Sequence, residues 1–271
     1  MGILNIGNTC YLASALQCIV STDSIDRYIR DTEQSNGVID VYRDLHRRVR
    51  QDVGLVDPTR MYNIIKTQCS TFVDNEQNDA HEALIIILDI LSRSFKKEFT
   101  AMHTHRAWWE RESYDIIDHV FTMVTENAVF CESCKHEIIN YESSYGMYCP
   151  MRTNVKDELP GYVCDRCKST DTSYRISRVV RYPKTLIVLN PSVKTETCIF
   201  GKHTYETFAI CNYKKVDRET GHYNVIVRDS DKWILKDDCV YRTVTGRFED
   251  LMKHASFILT RRMGRRHVHG R

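Results

Sequence analysis

Residues 2–18 read GILNIGNTCYLASALQC and join a glycine-containing turn to a helical pattern. Cys10 lies where the two meet. Apolar residues follow it at helical spacing, at Leu12, Ala15, Leu16, Ile19 and Val20. This spacing predicts a helix that begins near Tyr11 and places Cys10 in its first turn. Asn8 or Thr9 can cap that helix.

The predicted position of Cys10 gives its thiol unusual chemistry. Unpaired backbone N–H groups and the positive end of the helix dipole favour the thiolate and lower the pKa of the cysteine. Gly7 allows the preceding turn to approach a substrate backbone closely. Cys10 is therefore a candidate nucleophile, and a small buried residue at a helix start is the alternative.

A cysteine nucleophile also needs a base and a group that orients the base. Residues 221–240, GHYNVIVRDSDKWILKDDCV, offer both. They read as two strands joined by a polar turn, with His222 beginning the first and Asp237 and Asp238 ending the second. In a hairpin of this length the carboxylates return beside His222. Such an imidazole between thiol and carboxylate maintains a thiolate–imidazolium pair.

The remaining sequence divides into a helical part and a strand-rich part. The first hundred residues read mainly as helices, with a strong amphipathic pattern over 79–94. From about residue 115 short strands are predicted in HVFTMV, YRISRVVRY, KTLIVLN, ETFAIC, HYNVIVRD, CVYRTVT and ASFILTR. Helices first and then mostly strands predict an α+β fold.

Eleven cysteines without an export signal indicate a reducing compartment, where clustered cysteines bind metal. Two C-x-x-C pairs, Cys131 with Cys134 and Cys164 with Cys167, are separated by residues 135–163. The pattern predicts a tetrahedral Zn²⁺ site with four thiolate ligands in a projecting module. Four thiolates leave no open coordination position, so the predicted zinc is structural.

Composition excludes several other classes. The net charge is +2, and the one dense basic run is the end, RRMGRRHVHGR, so we expect neither nucleic acid nor a membrane as partner. The most apolar run, ALIIILDIL, is too short to span a bilayer and carries Asp89. We expect a protein of the cytoplasm, the nucleus or both.

Three separated motifs carry a family resemblance. GILNIGNTCYLASALQ resembles the cysteine box of the ubiquitin-specific proteases, which are papain-like cysteine deubiquitinases. GHY with Trp233 and KDDCV is similar to their histidine box, although Lys236 stands where that family has an aromatic residue. EQNDAHEALIIILDIL, residues 76–91, resembles their Gln/Asp helix. The order of the motifs along the chain also agrees.

The resemblance implies a role for each matching position. Cys10 would be the nucleophile, His222 the base and Asp237 the acid that orients it. Asn5 would donate to the oxyanion, and Asp238 would be a helper. The residues that would bind the tail of ubiquitin are Gln77, Asp79, Glu82, Gly221 and Tyr223.

The resemblance also implies an architecture. Residues 1–271 would form a single catalytic domain, a monomer that binds ubiquitin and ubiquitinated proteins. A helical thumb would span about 1–115, zinc-ribbon fingers about 116–190 and a β-rich palm about 190–262, followed by a basic tail over 263–271. The expected function is a thiol-dependent deubiquitinase that cleaves the isopeptide bond through an acyl-enzyme thioester.

Three other functions stay open. The same channel would suit a ubiquitin-like modifier ending in Gly-Gly, which would make the chain a protease for that modifier. A ubiquitin-binding pseudoenzyme would keep the triad residues in a misaligned arrangement. A zinc-ribbon nucleic-acid module is supported only by the C-x-x-C pairs and the basic end, and it leaves the cysteine and histidine boxes unexplained.

Overall fold

The computed structural model describes residues 2–51, 54–70, 72, 75–97, 99–100, 113–170, 173–217 and 220–264. Most of the predicted basic tail, residues 265–271, lies outside these ranges. The order of elements is helices first and strands afterwards, which confirms the predicted α+β class. No described helix is both long enough and apolar enough to cross a membrane.

The N-terminal part consists of five helices: α1 (Cys10–Val20), α2 (Asp23–Asp31), α3 (Gly37–Arg50), α4 (Thr59–Gln68) and α5 (Ala80–Ser94). Every residue of α1 is buried, so this helix is the centre of the molecule rather than an amphipathic surface helix. The predicted helix over 79–94 is confirmed as α5. Asp79 is its N-cap, and its Oδ1 accepts hydrogen bonds from the backbone N–H groups of His81 and Glu82.

A short connection leads from the helices to the strands. It contains β1 (Phe99–Thr100), β2 (Ser113–Tyr114) and α6 (Ile116–Phe121). The prediction of a strand over HVFTMV is wrong in its first half, where α6 lies. Asp115 explains the difference, because its Oδ1 accepts from the N–H groups of Ile117 and Asp118 and so starts a helix there.

The rest of the chain forms strands and one short helix: β3 (Met123–Cys131), β4 (Glu137–Ser144), β5 (Gly146–Tyr148), β6 (Asn154–Glu158), β7 (Ser173–Arg181), β8 (Thr185–Leu189), β9 (Thr197–Phe200), β10 (His203–Lys215), β11 (Gly221–Asp229), β12 (Lys232–Asp237), β13 (Val240–Val244), α7 (Phe248–Leu251) and β14 (Ala255–Arg262). A four-stranded antiparallel sheet has the order β4-β3-β7-β6. The large sheet has the order β13-β12-β11-β10-β14-β8-β5, with β9 beside β10.

The two sheets interleave along the sequence. The division from the sequence assigned all of 116–190 to the fingers, whereas β5 and β8 within that range pair in parallel in the large sheet. The chain thus leaves the four-stranded sheet after β4, adds β5 to the large sheet and returns for β6 and β7. Strand pairing over long sequence distance, which local patterns do not encode, sets this arrangement.

The large sheet is covered on both faces. One face packs against the helices, and the other packs against a second cluster around Trp233, Leu251 and Phe200. All five residues of β8 are buried, with Ile187 and Leu189 in the first cluster and Leu186 and Val188 in the second. Burial on both faces explains why KTLIVLN is a continuous apolar run.

Candidate active site and metal centre

The turn before Cys10 is ordered by Asn5. Its Oδ1 accepts hydrogen bonds from the backbone N–H groups of Gly7 (3.2 Å) and Thr9 (2.9 Å) and from the Thr9 hydroxyl (3.2 Å). Of the two predicted caps, Thr9 is the N-cap residue of α1, but its side chain makes no capping hydrogen bond. Asn8 instead donates from Nδ2 to the carbonyl of Asn75 at 2.6 Å. The first turn of α1, where Cys10 lies, therefore has no side-chain cap from either residue.

Cys10 is the first residue of α1 and is 3% exposed. Burial raises the pKa of its thiol above the usual 9.0, and the nearby Asp238 carboxylate raises it as well. Backbone hydrogen bonds from Tyr223, Tyr11 and Cys10 itself act in the opposite direction and favour the thiolate. Because Tyr223 follows His222 directly, the thiol lies against the strand that carries the candidate base.

His222 and Asp237 meet across the predicted hairpin. β11 and β12 pair antiparallel, with Asp229 opposite Lys232 and Val225 opposite Lys236. This register returns Asp237 to the start of β11, where its Oδ1 lies 2.5 Å from Nε2 of His222. Both side chains keep about a third of their surface exposed, at 33% and 29%. The imidazole is thus held by a carboxylate on one side and open on another.

Asp237 and Asp238 have separate partners. Asp238 has a φ of +47°, in the left-handed region, and its carboxylate turns towards the N-terminal segment. There its Oδ2 accepts a hydrogen bond from Nδ2 of Asn5 at 3.0 Å. The helper carboxylate therefore contacts the predicted oxyanion donor, and the other carboxylate contacts the predicted base.

Sequence reasoning missed a polar contact beneath Asp238. A cavity of about 10 Å³ lies between Asp238, Lys236 and Gln17. Nζ of Lys236 donates to Oε1 of the buried Gln17 at 2.8 Å. In the sequence, Lys236 is noticeable only because the family has an aromatic residue at this position. No nearby residue pattern indicates that its partner lies on α1. The aliphatic part of Lys236 thus stands where the family has an aromatic ring, and its ammonium donates to the buried amide oxygen of Gln17.

His222, Asp237 and Asp238 have ligand atoms within 4.8 Å of one another, the spacing of a possible cation site. The 2.5 Å between His222 and Asp237 is a hydrogen-bond distance. Two ligands on one tetrahedral Zn²⁺ would stand roughly 3.3 Å apart. The geometry is that of an oriented base rather than of a metal site.

Four of the five predicted tail-binding residues lie together between α5 and β11. Oε1 of Gln77 accepts from the N–H of Gly221 at 2.9 Å, and Oδ2 of Asp79 accepts from the Tyr223 hydroxyl at 3.0 Å. Burial, together with the Asp79 carboxylate, raises the pKa of the Tyr223 phenol. The fifth, Glu82, is exposed on the first turn of α5. Gln77 and Asp79 therefore tie α5 to the catalytic strand.

Gly221 lies under an aromatic ring. A Cβ added at this position would stand 2.2 Å from the ring of Tyr213, which in turn packs on Tyr223 with ring centroids 4.7 Å apart. A larger residue would have to displace Tyr213. The glycine is therefore required by close approach to a side chain of the same chain.

A cleft of about 550 Å³ runs beside α5 and is lined by His81, Ile85, Asp118, Tyr145, Tyr148 and Leu189, among others. The Tyr145 hydroxyl donates to Asp118 at 2.7 Å. Burial raises the pKa of the neighbouring Asp115 to about 6, despite a hydrogen bond from Ser92. Burial also lowers the pKa of His81. Sequence reasoning did not identify this cleft, because its walls come from α5, α6, β4, β5 and β8.

The four predicted zinc ligands converge at one end of the four-stranded sheet. Sγ of Cys131 lies 3.7 Å from that of Cys167, and Sγ of Cys134 lies 3.7 Å from that of Cys164. All four sulfurs lie within 4.8 Å of one another. Zn–S bonds of 2.3 Å in a tetrahedron give sulfur separations of about 3.8 Å, so the cluster fits a zinc ion.

The two C-x-x-C turns have the same backbone. Lys135 and Lys168, which follow the second cysteine of each pair, both have a φ near +60°. Their N–H groups donate to the carbonyls of Cys131 and Cys164, at 2.9 Å in each case. Two matching turns thus present their thiols to a common centre.

The sequence profile of the family described as "Ubiquitin carboxyl-terminal hydrolase" matches residues 1–260. The chain belongs to this family. Among its relatives, ubiquitin carboxyl-terminal hydrolase Usp2 of Drosophila melanogaster is 20% identical over 227 residues, which are 69% of this chain and 24% of that protein. Ubiquitin carboxyl-terminal hydrolase 25 of Arabidopsis thaliana is 20% identical over 315 residues, covering 96% and 46%.

Two solved structures share the fold of this chain. The SAGA DUB module Ubp8/Sgf11/Sus1/Sgf73 bound to monoubiquitin matches with a TM-score of 0.73 at 16% identity, covering 97% of this chain and 69% of that one. The same module bound to ubiquitin aldehyde matches with a TM-score of 0.71. The chain spans between about a quarter and a half of the length of the two relatives named above.

Proposed function

We propose that this chain is a thiol-dependent deubiquitinase, which hydrolyses the isopeptide bond after the C-terminal glycine of ubiquitin. The observation that carries the proposal is the 2.5 Å contact between His222 and Asp237, on a strand whose next residue hydrogen-bonds to the Cys10 thiol. Family membership over residues 1–260 supports the same activity.

Each step of the reaction has a group to perform it. His222 takes the proton of the Cys10 thiol, and the sulfur attacks the glycine carbonyl. When the tetrahedral intermediate collapses, the C–N bond breaks and the imidazolium protonates the leaving lysine amine. Water, activated by the same imidazole, then hydrolyses the thioester and restores the thiol. Asp237 fixes the ring orientation throughout.

The negative charge of the intermediate needs donors beside Cys10. Asn5 is the side-chain donor, and backbone N–H groups of the first turn of α1 assist it. Asp238 is a positioning residue here, because its Oδ2 holds the Asn5 amide at 3.0 Å. The same amide orders the Cys10 turn through its oxygen, so one side chain links the nucleophile to its oxyanion site.

The Asn5→Ala variant should lower kcat for ubiquitin hydrolysis by about 10²-fold, which corresponds to about 3 kcal/mol for one lost donor. KM should change little, because the donor acts mainly on the intermediate. A fluorogenic ubiquitin conjugate measures both constants. In a Cys10→Ala background, Asn5→Ala should also leave ubiquitin affinity unchanged. An equal loss of affinity and turnover would show that Asn5 serves only to order the turn.

The tail of ubiquitin is assigned to the surface between the start of α5 and β11, where Gln77 contacts Gly221 and Asp79 contacts Tyr223. The exposed carboxylate of Glu82 is placed to pair with a tail arginine, for which a bidentate contact is favourable. Asp79 and Gln77 act indirectly, since their oxygens already accept from Tyr223 and Gly221. The four-stranded sheet would contact the globular body of ubiquitin, with a structural Zn²⁺ held by Cys131, Cys134, Cys164 and Cys167.

A ubiquitin probe with a C-terminal electrophile tests the proposal. The wild-type chain should form one covalent adduct and the Cys10→Ala variant none. Cys239→Ala is the matched control, because Cys239 is an exposed thiol next to Asp238 and its removal should leave labelling intact. Equal labelling of Cys10→Ala would refute the assignment of the nucleophile.

The same assay separates the alternative functions. Preferential labelling by a probe built on a ubiquitin-like modifier ending in Gly-Gly would show that this modifier, rather than ubiquitin, is the substrate. Ubiquitin binding without any adduct would indicate a pseudoenzyme. The close contact between His222 and Asp237 argues for an assembled base and therefore for turnover.

A further inference from the structure

A second cavity, of about 330 Å³, lies where α2, β8 and β14 meet. Its walls include the N-terminal end of α2, the residues that begin β8 and the end of β14. Four cations line it: Arg27, Lys184, Arg261 and Arg262. Asp23 is the one carboxylate among its lining residues. We refer to it as the α2 basic cavity.

Within the described part of the chain, only one of these four cations forms ion pairs with carboxylates. Arg261 pairs with Asp23 at 3.0 Å and with Glu206 at 2.8 Å. Arg27 and Arg262 donate instead to the neutral backbone carbonyls of Asp23 and Tyr182. Lys184 forms no ion pair with any described residue. Arg27, Lys184 and Arg262 therefore have no carboxylate partner among the described residues.

Neighbouring groups respond to this positive charge. Partial burial lowers the pKa of the Lys184 ammonium, and the cations Arg262, Arg27 and Arg181 lower it further. Burial, together with the cations Lys184, Arg181 and Arg262, lowers the pKa of the nearby His119 to about 4. Cations around a cavity repel one another, and a bound anion reduces this repulsion.

The start of α2 adds to the attraction. Thr22 is the N-cap residue but makes no capping hydrogen bond, because its hydroxyl donates to the carbonyl of Cys18 at 3.2 Å. The first turn of α2 thus has no side-chain cap from Thr22, and a helix N-terminus favours negative charge, which Asp23 and Asp26 in this turn already supply in part. Ser21 and Ser24 in the wall offer hydroxyl groups as further donors.

We propose that the α2 basic cavity binds a small molecule that carries two or more phosphate groups. Its volume falls within the range of small-ligand sites. Three cations without a carboxylate partner among the described residues and a helix N-terminus suit more than one phosphate, and Arg27 can present its two terminal nitrogens to phosphate oxygens. The site uses residues from α2, β8 and β14 that take no part in the proposed hydrolysis.

Inorganic tripolyphosphate is a suitable probe, titrated calorimetrically into the full chain at low ionic strength. We expect saturable binding to one site that weakens as salt is added, because the contacts are charged. Lys184→Gln should weaken binding at least tenfold. The side chain of Lys184 is exposed and hydrogen-bonds to no described residue, so this variant should fold normally, which circular dichroism checks.

Lys253→Gln is the matched control, since it makes the same charge change on an exposed lysine before β14. The start of β14 lies roughly 25 Å from the end that lines the cavity. Binding to this variant should stay within twofold of wild type. No saturable binding to the wild type, or equal weakening by Lys253→Gln, would overturn the proposal.

A short single-stranded oligonucleotide provides a second comparison. If it bound more tightly than tripolyphosphate and responded to Lys184→Gln in the same way, the assignment to a small molecule would be wrong. Labelling by the ubiquitin electrophile needs neither ligand. The outcome for this cavity is therefore independent of the outcome for the proposed hydrolase.

Discussion

Replacing His222 with alanine should lower kcat/KM for ubiquitin hydrolysis by about 10³-fold or more, because general-base catalysis at the nucleophile is lost. The imidazole lies 2.5 Å from Asp237. Another residue could act as the base only if that carboxylate moved. The fluorogenic ubiquitin conjugate gives the rate. The His254→Ala variant, which removes an exposed imidazole elsewhere, should keep wild-type activity.

The same substitution should change the titration of Cys10. Burial alone holds the pKa of this thiol above 9.0, and the Asp238 carboxylate adds to the effect. In the proposed mechanism an imidazolium at His222 opposes both effects, so the pKa of Cys10 should be lower in the wild type than in His222→Ala. Without the imidazole the thiolate should form only as the pH rises above 9.0, and alkylation should be slow at neutral pH.

Alkylation of Cys10 by iodoacetamide, followed by mass spectrometry across a pH series, measures this shift. We expect the midpoint for His222→Ala to lie above that of the wild type. An unchanged midpoint, together with a tenth or more of wild-type turnover, would show that His222 is not the base. His254→Ala again supplies the comparison, because its Cys10 should titrate as in the wild type.

Breaking the cysteine cluster should have the second large effect. The four-stranded sheet has little core of its own, since most residues of β4 and β6 are exposed or half-buried. A structural zinc can contribute on the order of 10 kcal/mol of binding free energy to the folded state. Cys164→Ser should therefore abolish stoichiometric zinc binding and unfold the end of this sheet. Amide hydrogen exchange should then increase in β3 and β7 near the cluster.

The functional consequence should be selective. The hairpin that carries His222 and Asp237 belongs to the large sheet, so a short peptide substrate ending in Gly-Gly should be hydrolysed as before. Cleavage of intact ubiquitin conjugates should weaken at least tenfold, mainly through KM. Cys149→Ser is the control, because Cys149 is a half-buried thiol outside the cluster and its variant should retain the metal.

Metal analysis of the purified chain decides the matter. One zinc per chain in the wild type and in Cys149→Ser, and none in Cys164→Ser, is the expected pattern. A folded wild type that binds no zinc would contradict the assignment of the ligands. Equal zinc content in Cys164→Ser would do the same.

Local patterns in the sequence were enough for several elements. The helix over 79–94, the strands of KTLIVLN and HYNVIVRD, and the meeting of His222 with Asp237 all follow from spacing within a short segment. A hairpin constrains two residues that are close in sequence, so its register brings their side chains together. The C-x-x-C turns are equally local, and each prepares two thiols for a metal.

Other contacts could be seen only in the folded chain. Asn5 and Asp238 are 233 positions apart, and Lys236 reaches Gln17 across 219 positions. The α2 basic cavity likewise joins α2, the second helix, to β14, the last described strand, around Arg27 and Arg262. No periodicity or spacing encodes such pairs, because they depend on how α1 packs against the large sheet.

Sequence patterns were sufficient for the α+β class, for the candidate nucleophile, base and acid, and for the four cysteines of the candidate zinc site. Only the folded chain shows that Asp238 accepts a hydrogen bond from Asn5, that Gln77 and Asp79 accept hydrogen bonds within the chain, and that β5 joins the large sheet. Backbone propensity and short spacings act over a few residues, whereas packing sets the partners of side chains that are distant in sequence, and this difference in range explains the division.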